Sequence, residues 1–294
     1  MVAHEHRFVR HAEVVAALAD PALVPVEPAG DASAGEHATA PAATAAWLRA
    51  HVARFSHGPE HARRRAVVED EIARIDEGRL RQAAFEAARK AGAGADPRAV
   101  VVRGLAEALG LADPDAVTAD VGLVAGVYFG GSDPAADAAV ARLIAVYRRA
   151  ERAVPDAGAD DEEDIVNRIS VLVQAFEATG TLIEHARRAG AAADDDVQAV
   201  LLETLRYDPP VRVMRRIALR ATSVAGVEIS AGDPVTLDIA AANRDPEVFD
   251  RPEEFDARRD GESRELTYGS EPRRCPGRGQ SLILAAAVLE ADGV

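Results

Sequence analysis

The segment from about Ile165 to Arg188 restricts the possible folds of this chain more than any other. Its centre, Ile169-Ser170-Val171-Leu172-Val173-Gln174-Ala175-Phe176, is apolar almost all round. A helix of that kind has no face to offer water, so it must run through the middle of a domain. Helical patterns follow one another from Thr44, a suitable N-cap, to about Val200. They are interrupted at Gly92-Ala93-Gly94, Asp113-Pro114-Asp115, Ser132-Asp133-Pro134 and the acidic run Asp156 to Asp164. The acidic run reads as the N-terminal flank of the long helix, where the helix dipole favours negative charge. A short strand and a helix over His11–Ala19 precede this body, and residues 27–43 read as an irregular loop rich in Ala, Gly and Pro.

Another helix, Asp194 to Tyr207, stops at Pro209-Pro210, where proline removes a donor and clashes with the preceding turn. The character then changes. Ile217 to Thr222 and Val227 to Ile229 read as strands around a turn at Gly226, and Pro234 to Ile239 as a third. Residues 243–265 are polar and aperiodic, and Gln280 to Leu289 is a final apolar helix. Aromatic residues make up only 4% of the chain and strand formers cluster late. The fold class is therefore mainly α with a small antiparallel β region. The organisation is a single domain over 1–294: a helical body at about 44–208, a small sheet at about 210–242, an irregular stretch and cysteine loop at about 243–279, and a helix at about 280–291. Residues 110–135 read as generic apolar sequence.

A net charge of -15 argues against nucleic-acid binding. No segment approaches the roughly 18 apolar residues of a membrane span, and the N-terminus lacks the apolar core of a signal peptide. The expectation is a cytoplasmic protein that binds neither nucleic acid nor membrane.

The single cysteine, Cys275, lies in Tyr268-Gly269-Ser270-Glu271-Pro272-Arg273-Arg274-Cys275-Pro276-Gly277-Arg278. It has no internal disulfide partner. Glycine and proline shape a tight loop, three arginines favour the thiolate, and the positive end of the following helix stabilises it further. This is a setting for an anionic sulfur ligand to a metal. Inert packing is the other reading, because free cysteine often behaves as a small buried hydrophobe.

Further motifs accompany the loop in a fixed order. Glu203-Thr204-Leu205-Arg206 places an acid and an arginine on one helix face, about 70 residues before Cys275. Tyr207-Asp208-Pro209-Pro210-Val211, Ala242-Asn243-Arg244-Asp245-Pro246-Glu247-Val248-Phe249 and Pro252-Glu253-Glu254-Phe255 follow, and the series closes on Tyr-Gly-x-x-x-Arg-x-Cys-x-Gly. This order resembles the cytochrome P450 family, in its soluble bacterial branch, over residues 200–290 and more faintly back to about residue 8. The resemblance implies a P450-like fold and a heme b whose iron takes the Cys275 thiolate as axial ligand. It also implies a heme setting made by His61, Arg65, Arg216, Tyr268, Gly269, Arg273 and Gly277, with His61, Arg65, Arg216 and Arg273 meeting the propionates. Glu203 and Arg206 form a structural pair. Arg64 reads as a solvated helix face, and Arg274 and Arg278 as suited to an acidic ferredoxin.

The chain departs from the family pattern in four ways. It reads as shortened at both ends. The buried helix carries Gln174-Ala175-Phe176-Glu177-Ala178-Thr179, so Glu177 holds the family's acid position while Ala178 holds that of its hydroxyl. One step along a helix turns a side chain by about 100°, so Thr179 is not an automatic substitute, and a substrate hydroxyl or a water is the alternative. Glu271 replaces a glycine of the cysteine loop, placing a carboxylate near sulfur unless an arginine compensates. Glu254 stands where the family often has an arginine completing a triad with Glu203 and Arg206, a role open to Arg251, Arg258 or Arg259.

The leading expectation is a heme-thiolate monooxygenase of secondary metabolism, reduced by a ferredoxin or other electron donor. Glu177 and Thr179 are its catalytic candidates, acting on a small-molecule substrate. The alternatives are a heme-thiolate enzyme using peroxide or Lewis-acid chemistry, and a non-catalytic auxiliary to a biosynthetic partner enzyme. A homodimer is a further expectation.

Overall fold

The long apolar segment forms a 28-residue helix, Glu162–Ala189, in a computed structural model that describes residues 4–28, 43–152, 161–189, 196–259 and 264–293. Labelled in chain order, the elements are β1 (His6–Phe8), α1 (His11–Ala19), β2 (Leu23–Pro25), α2 (Ala45–His51), α3 (Gly58–Ala73), α4 (Glu77–Ala91), α5 (Pro97–Ala108), α6 (Pro114–Val127) and α7 (Pro134–Arg152). They continue with α8 (Glu162–Ala189), α9 (Val197–Tyr207), β3 (Val213–Ala218), β4 (Thr222–Val224), β5 (Val227–Ile229), β6 (Pro234–Asp238), α10 (Ile239–Ala242) and α11 (Arg278–Asp292). Two compact units divide them: residues 1–26 with 182–278 and 294, and residues 27–181 with 279–293. No described helix is long and apolar enough to cross a membrane.

The first unit is built on a four-stranded sheet in the order β1-β6-β3-β2, with β4 and β5 as a separate hairpin. Along β6 the side chains alternate as a strand requires: Val235 and Leu237 are buried, joining Phe8, Val14, Leu18, Leu23, Ile229 and Leu266 in one core. Two expectations are corrected here. The segment Ile217 to Thr222 is not one strand, because β3 ends at Ala218 and β4 starts at Thr222. The sheet is also mixed: β3 pairs antiparallel with β2 and β6, but β1 joins β6 in parallel. A strand brought in from so far away in sequence leaves no local trace of its direction. The β4–β5 turn is the expected one, with Ala225 and Gly226 both at positive φ, as a two-residue hairpin demands.

The second unit is helical. Thr44 caps α2 by accepting the Trp47 N–H at 3.1 Å, and Asp76 and Asp96 cap α4 and α5 in the same way. Helices α4 and α5 approach so closely that a Cβ on Gly104 would lie 2.9 Å from the Ala84 Cα. Within α8, Ile165, Asn167, Ile169, Ser170 and Leu172 are fully buried. Its charged first turn, Glu162 to Asp164, matches the expected acidic flank. Residues 156–160 of the acidic run, and 29–42 of the expected loop, lie outside the described residues. All-round burial holds only to Val173; beyond it the helix presents Glu177 to solvent.

Candidate functional site

Nested turns hold the cysteine loop. The Gly269 N–H donates to the Leu266 carbonyl at 2.8 Å, the Arg273 N–H to Ser270 O at 3.1 Å, and the Cys275 N–H to Tyr268 O at 2.8 Å. Gly269 sits at φ 73°, where a side chain is strained, and a Cβ there would meet the Met214 methyl of β3 and the Arg273 carbonyl at 3.9 Å. The Glu271-Pro272 peptide is cis. These turns leave Cys275 exposed, three residues before the first turn of α11. Arg274 lies 3.8 Å from Glu271, the arginine compensation that Glu271 calls for. Arg278 pairs with Glu265 at 3.5 Å and stands 5.9 Å over the Tyr268 ring. A polar pocket of about 140 Å³ is lined by Glu265, Tyr268, Gly269, Arg274 and Arg278. Cations and a helix N-terminus around an accessible thiol favour its ionised form. Tyr268, Gly269, Arg273, Cys275 and Gly277 thus share one loop. Arg216 is a buried guanidinium on β3 of the same unit, donating to the Arg215 carbonyl at 3.0 Å.

Beneath this loop lies a buried polar network. Arg206 grips Glu203 through Nε at 2.8 Å and Nη2 at 2.6 Å. Its remaining donors reach the carbonyls of Asn243, Pro252 and Glu254 at 3.2, 2.8 and 2.8 Å. The third member of the triad is Arg259, whose Nε approaches Glu203 at 3.3 Å. Arg251 instead pairs with Glu254 on the surface. Asn243 and Thr267, which sequence reasoning did not single out, carry the network toward the cysteine. Asn243 accepts the Leu266 N–H at 2.8 Å and donates to Thr267 Oγ1 at 3.0 Å, and Thr267 donates to the Leu205 carbonyl at 2.6 Å. The Asn within Ala-Asn-Arg-Asp-Pro, placed at a helix end, was the available signal. Asp245 of the same motif has its acidity strengthened: burial opposes ionisation, but the N–H groups of Glu247 and His11 and the charge of Arg10 outweigh it.

In the second unit, His61 and Arg65 stand four apart on α3 and so share a face. The Arg65 Nε bonds Glu69 at 2.6 Å. Arg64 is not a solvated residue. It is mostly buried and joins Glu163 at 2.7 Å, the Ala50 carbonyl at 3.0 Å and Ser56 Oγ at 2.9 Å, tying α2 and α3 to α8. The two catalytic candidates on α8 are not brought together. Glu177 is exposed and pairs with Arg98 Nε at 3.0 Å, whereas Thr179 is buried and shares a hydrogen bond with Ser281 Oγ of α11 at 3.0 Å. Two helical steps turn them about 200° apart, and Ala178 supplies no hydroxyl between them.

Cys275 offers one accessible sulfur donor in a loop that carries arginines, and a single cysteine thiolate is a donor that heme iron takes from a protein, so the residues fit heme. A cytochrome P450 family model matches residues 197–280, the stretch that carries α9, strands β3 to β6 and the cysteine loop. Erythromycin C-12 hydroxylase of Saccharopolyspora erythraea is 35% identical over 134 residues, which is 42% of this chain and 34% of that protein. Pulcherriminic acid synthase of Bacillus subtilis is 39% identical over 107 residues, 32% of this chain and 26% of its own length. These matches span about a third or less of the relatives. Structural likeness reaches further: CalO2 superposes with a TM-score of 0.77 at 23% identity, over 97% of this chain and 82% of its own. A mutant of P450 EryK in complex with erythromycin B gives 0.66 at 27% identity, over 97% and 81%. Family signature, relatives and fold agree with the cysteine loop and its buried Glu-Arg network: residues 197–280 carry the cytochrome P450 signature, and the chain is similar to a cytochrome P450 along 97% of its length.

Proposed function

We propose that this protein is a heme-thiolate oxidoreductase acting on a small organic molecule, with Cys275 as the axial ligand. The observation that carries the reading is the cysteine loop itself: an accessible thiol fixed by its own N–H to Tyr268, amid Arg273, Arg274 and Arg278, over a buried Glu203–Arg206–Arg259 network. Bound heme supplies an iron able to activate an oxidant for attack on an otherwise inert C–H bond. The protein's part is to hold the thiolate ionised and fixed. Arg216 and Arg273 serve as cations for the propionates. Arg274 and Arg278, both solvent-accessible, suit an acidic electron donor such as a ferredoxin. The named relatives, a hydroxylase and a synthase, support an oxidation in secondary metabolism.

A specific observation favours a second reading, in which the oxidant is peroxide or the chemistry is not oxidative. Proton delivery needs a donor within hydrogen-bond reach of the reacting atom. Here Ala178 offers none, Thr179 is engaged with Ser281, and Glu177 is paired with Arg98 on an exposed face. The heme-loaded protein with ferredoxin, its reductase and NAD(P)H is expected to consume oxygen when a substrate is added. Turnover with peroxide alone, without reductant-dependent oxygen uptake, would select the second reading. An Ala178→Thr variant separates them further, raising coupled oxygen use only under the first.

A further inference from the structure

Asn243 lies fully buried at the end of α10, and each of its polar groups has a partner. Its N–H donates to the Ile239 carbonyl at 2.9 Å, and its own carbonyl accepts Arg206 Nη1 at 3.2 Å. The side chain works in both directions. Oδ1 accepts the Leu266 N–H at 2.8 Å, while Nδ2 donates to the Leu205 carbonyl at 3.1 Å and to Thr267 Oγ1 at 3.0 Å. These partners fix which end of the amide is oxygen, because a backbone N–H only donates and a carbonyl only accepts. Thr267, 3% exposed, gives its proton to the Leu205 carbonyl at 2.6 Å and so accepts from Asn243. A carboxylate lacks the donor this position uses, and a hydrocarbon lacks both groups.

The bonds end where the cysteine loop begins. Leu266, held by Asn243 through its N–H, accepts the Gly269 N–H at 2.8 Å, and Tyr268, next to Thr267, accepts the Cys275 N–H at 2.8 Å. Residues 266–268 are therefore the support to which Cys275 is tied. Asn243 and Thr267 tie that support in turn to α9, the helix of Glu203 and Arg206. Cys275 is itself exposed, so this hydrogen-bonded frame, and not core packing, aims its sulfur. We propose that Asn243 is a positioning residue: with Thr267 it holds the cysteine loop in the conformation that aims the Cys275 sulfur, and so sets how firmly heme is retained. Groups that hold a metal ligand from behind act in this way, orienting the ligand and changing metal affinity when altered. The inference rests on the reading of Cys275 as the axial ligand and extends it to residues outside the loop.

Two variants test it. Asn243→Leu keeps the size and removes donor and acceptor together, and Thr267→Val removes one hydroxyl at nearly constant shape; the second, milder change carries the test if the first does not fold. Amide exchange of the full chain without heme should show the Gly269 and Cys275 N–H groups exchanging roughly tenfold or more faster than in the parent, relative to the β3–β6 ladder, as the local loss of buried bonds requires. Heme transfer from the loaded protein to excess apomyoglobin should also be roughly tenfold or more faster. Thr267→Ser, which restores the hydroxyl, should match the parent in both measurements. Loop amides that accelerate no more than the ladder would overturn the proposal, because Asn243 and Thr267 would then support the whole fold equally. So would parent-like heme transfer in the variants, or Thr267→Ser behaving like Thr267→Val. The exchange measurement needs no heme. A parent without a thiolate-ligated carbon monoxide band therefore refutes the ligand reading, while loop exchange separately decides whether Asn243 positions Cys275.

Discussion

Replacing Arg206 by methionine probes the buried network most sharply. The Arg206 and Glu203 side chains are only 3% and 4% exposed. Removing the guanidinium strands a buried carboxylate, and such losses cost about 3–5 kcal/mol. Glu203 would still accept the Asp256 N–H at 2.9 Å and would keep Arg259 nearby, which places the expected loss toward about 3 kcal/mol. For a chain of this size that is a fall of roughly 6–12 °C in Tm, at about 2–4 °C per kcal/mol. Arg259→Gln should cost only about 1 kcal/mol, because Arg259 is more exposed and its contacts are longer. The double variant Glu203→Leu/Arg206→Met should recover at least about 1 kcal/mol relative to the sum of the singles, since no lone charge is then buried. Urea denaturation followed by circular dichroism measures all five proteins, the parent and the Glu203→Leu single variant included. An Arg206→Met loss below about 1 kcal/mol, or strict additivity in the double variant, would refute the argument that the pair acts as one buried unit.

Two other perturbations have clear signs. Gly104→Ala should destabilise by about 1–3 kcal/mol, because its Cβ would meet backbone atoms of Ala84 at 2.9 and 3.1 Å. Gly126→Ala, with nothing within 4 Å, should instead stabilise by about 0.5 kcal/mol through helix propensity; thermal melts of the pair test the contrast. Asp233 has its pKa depressed, first by the Ser230 N–H, then by the N–H of His4 and the ring of His6. A depressed folded-state pKa contributes stability above the usual aspartate pKa, and this contribution is lost as pH falls through the folded value. Asp233→Asn should therefore be less stable than the parent at pH 7 and indistinguishable from it near pH 2, as read by urea midpoints across that range.

What the sequence made legible follows from how local each signal is. The burial of α8, the Thr44 cap, the Ala225-Gly226 turn and the stop before Pro209 are short-range effects, and each is where the residues put it. The cysteine loop was legible because its glycines and prolines dictate turns within a dozen residues. The parallel β1–β6 pairing was not, because its partners lie some 230 residues apart. The choice among Arg251, Arg258 and Arg259 needed the three-dimensional path of the irregular stretch, which brings Arg259 back onto Glu203. Arg64 read as surface because its partners, Ala50, Ser56 and Glu163, come from three other segments. Glu177 was drawn inward by its apolar neighbours. Side-chain direction decided otherwise, since Arg98 offers it a charge on the exposed side of α8.

The central claim is that Cys275 ligates heme iron as a thiolate. The most direct measurement is the optical difference spectrum of the reduced, heme-loaded protein with and without carbon monoxide, for the parent and for Cys275→Ala. A band at the thiolate-ligated position in the parent, lost in the variant while apo-protein stability changes little because Cys275 is exposed, is the predicted result. A heme spectrum unchanged by Cys275→Ala would contradict it.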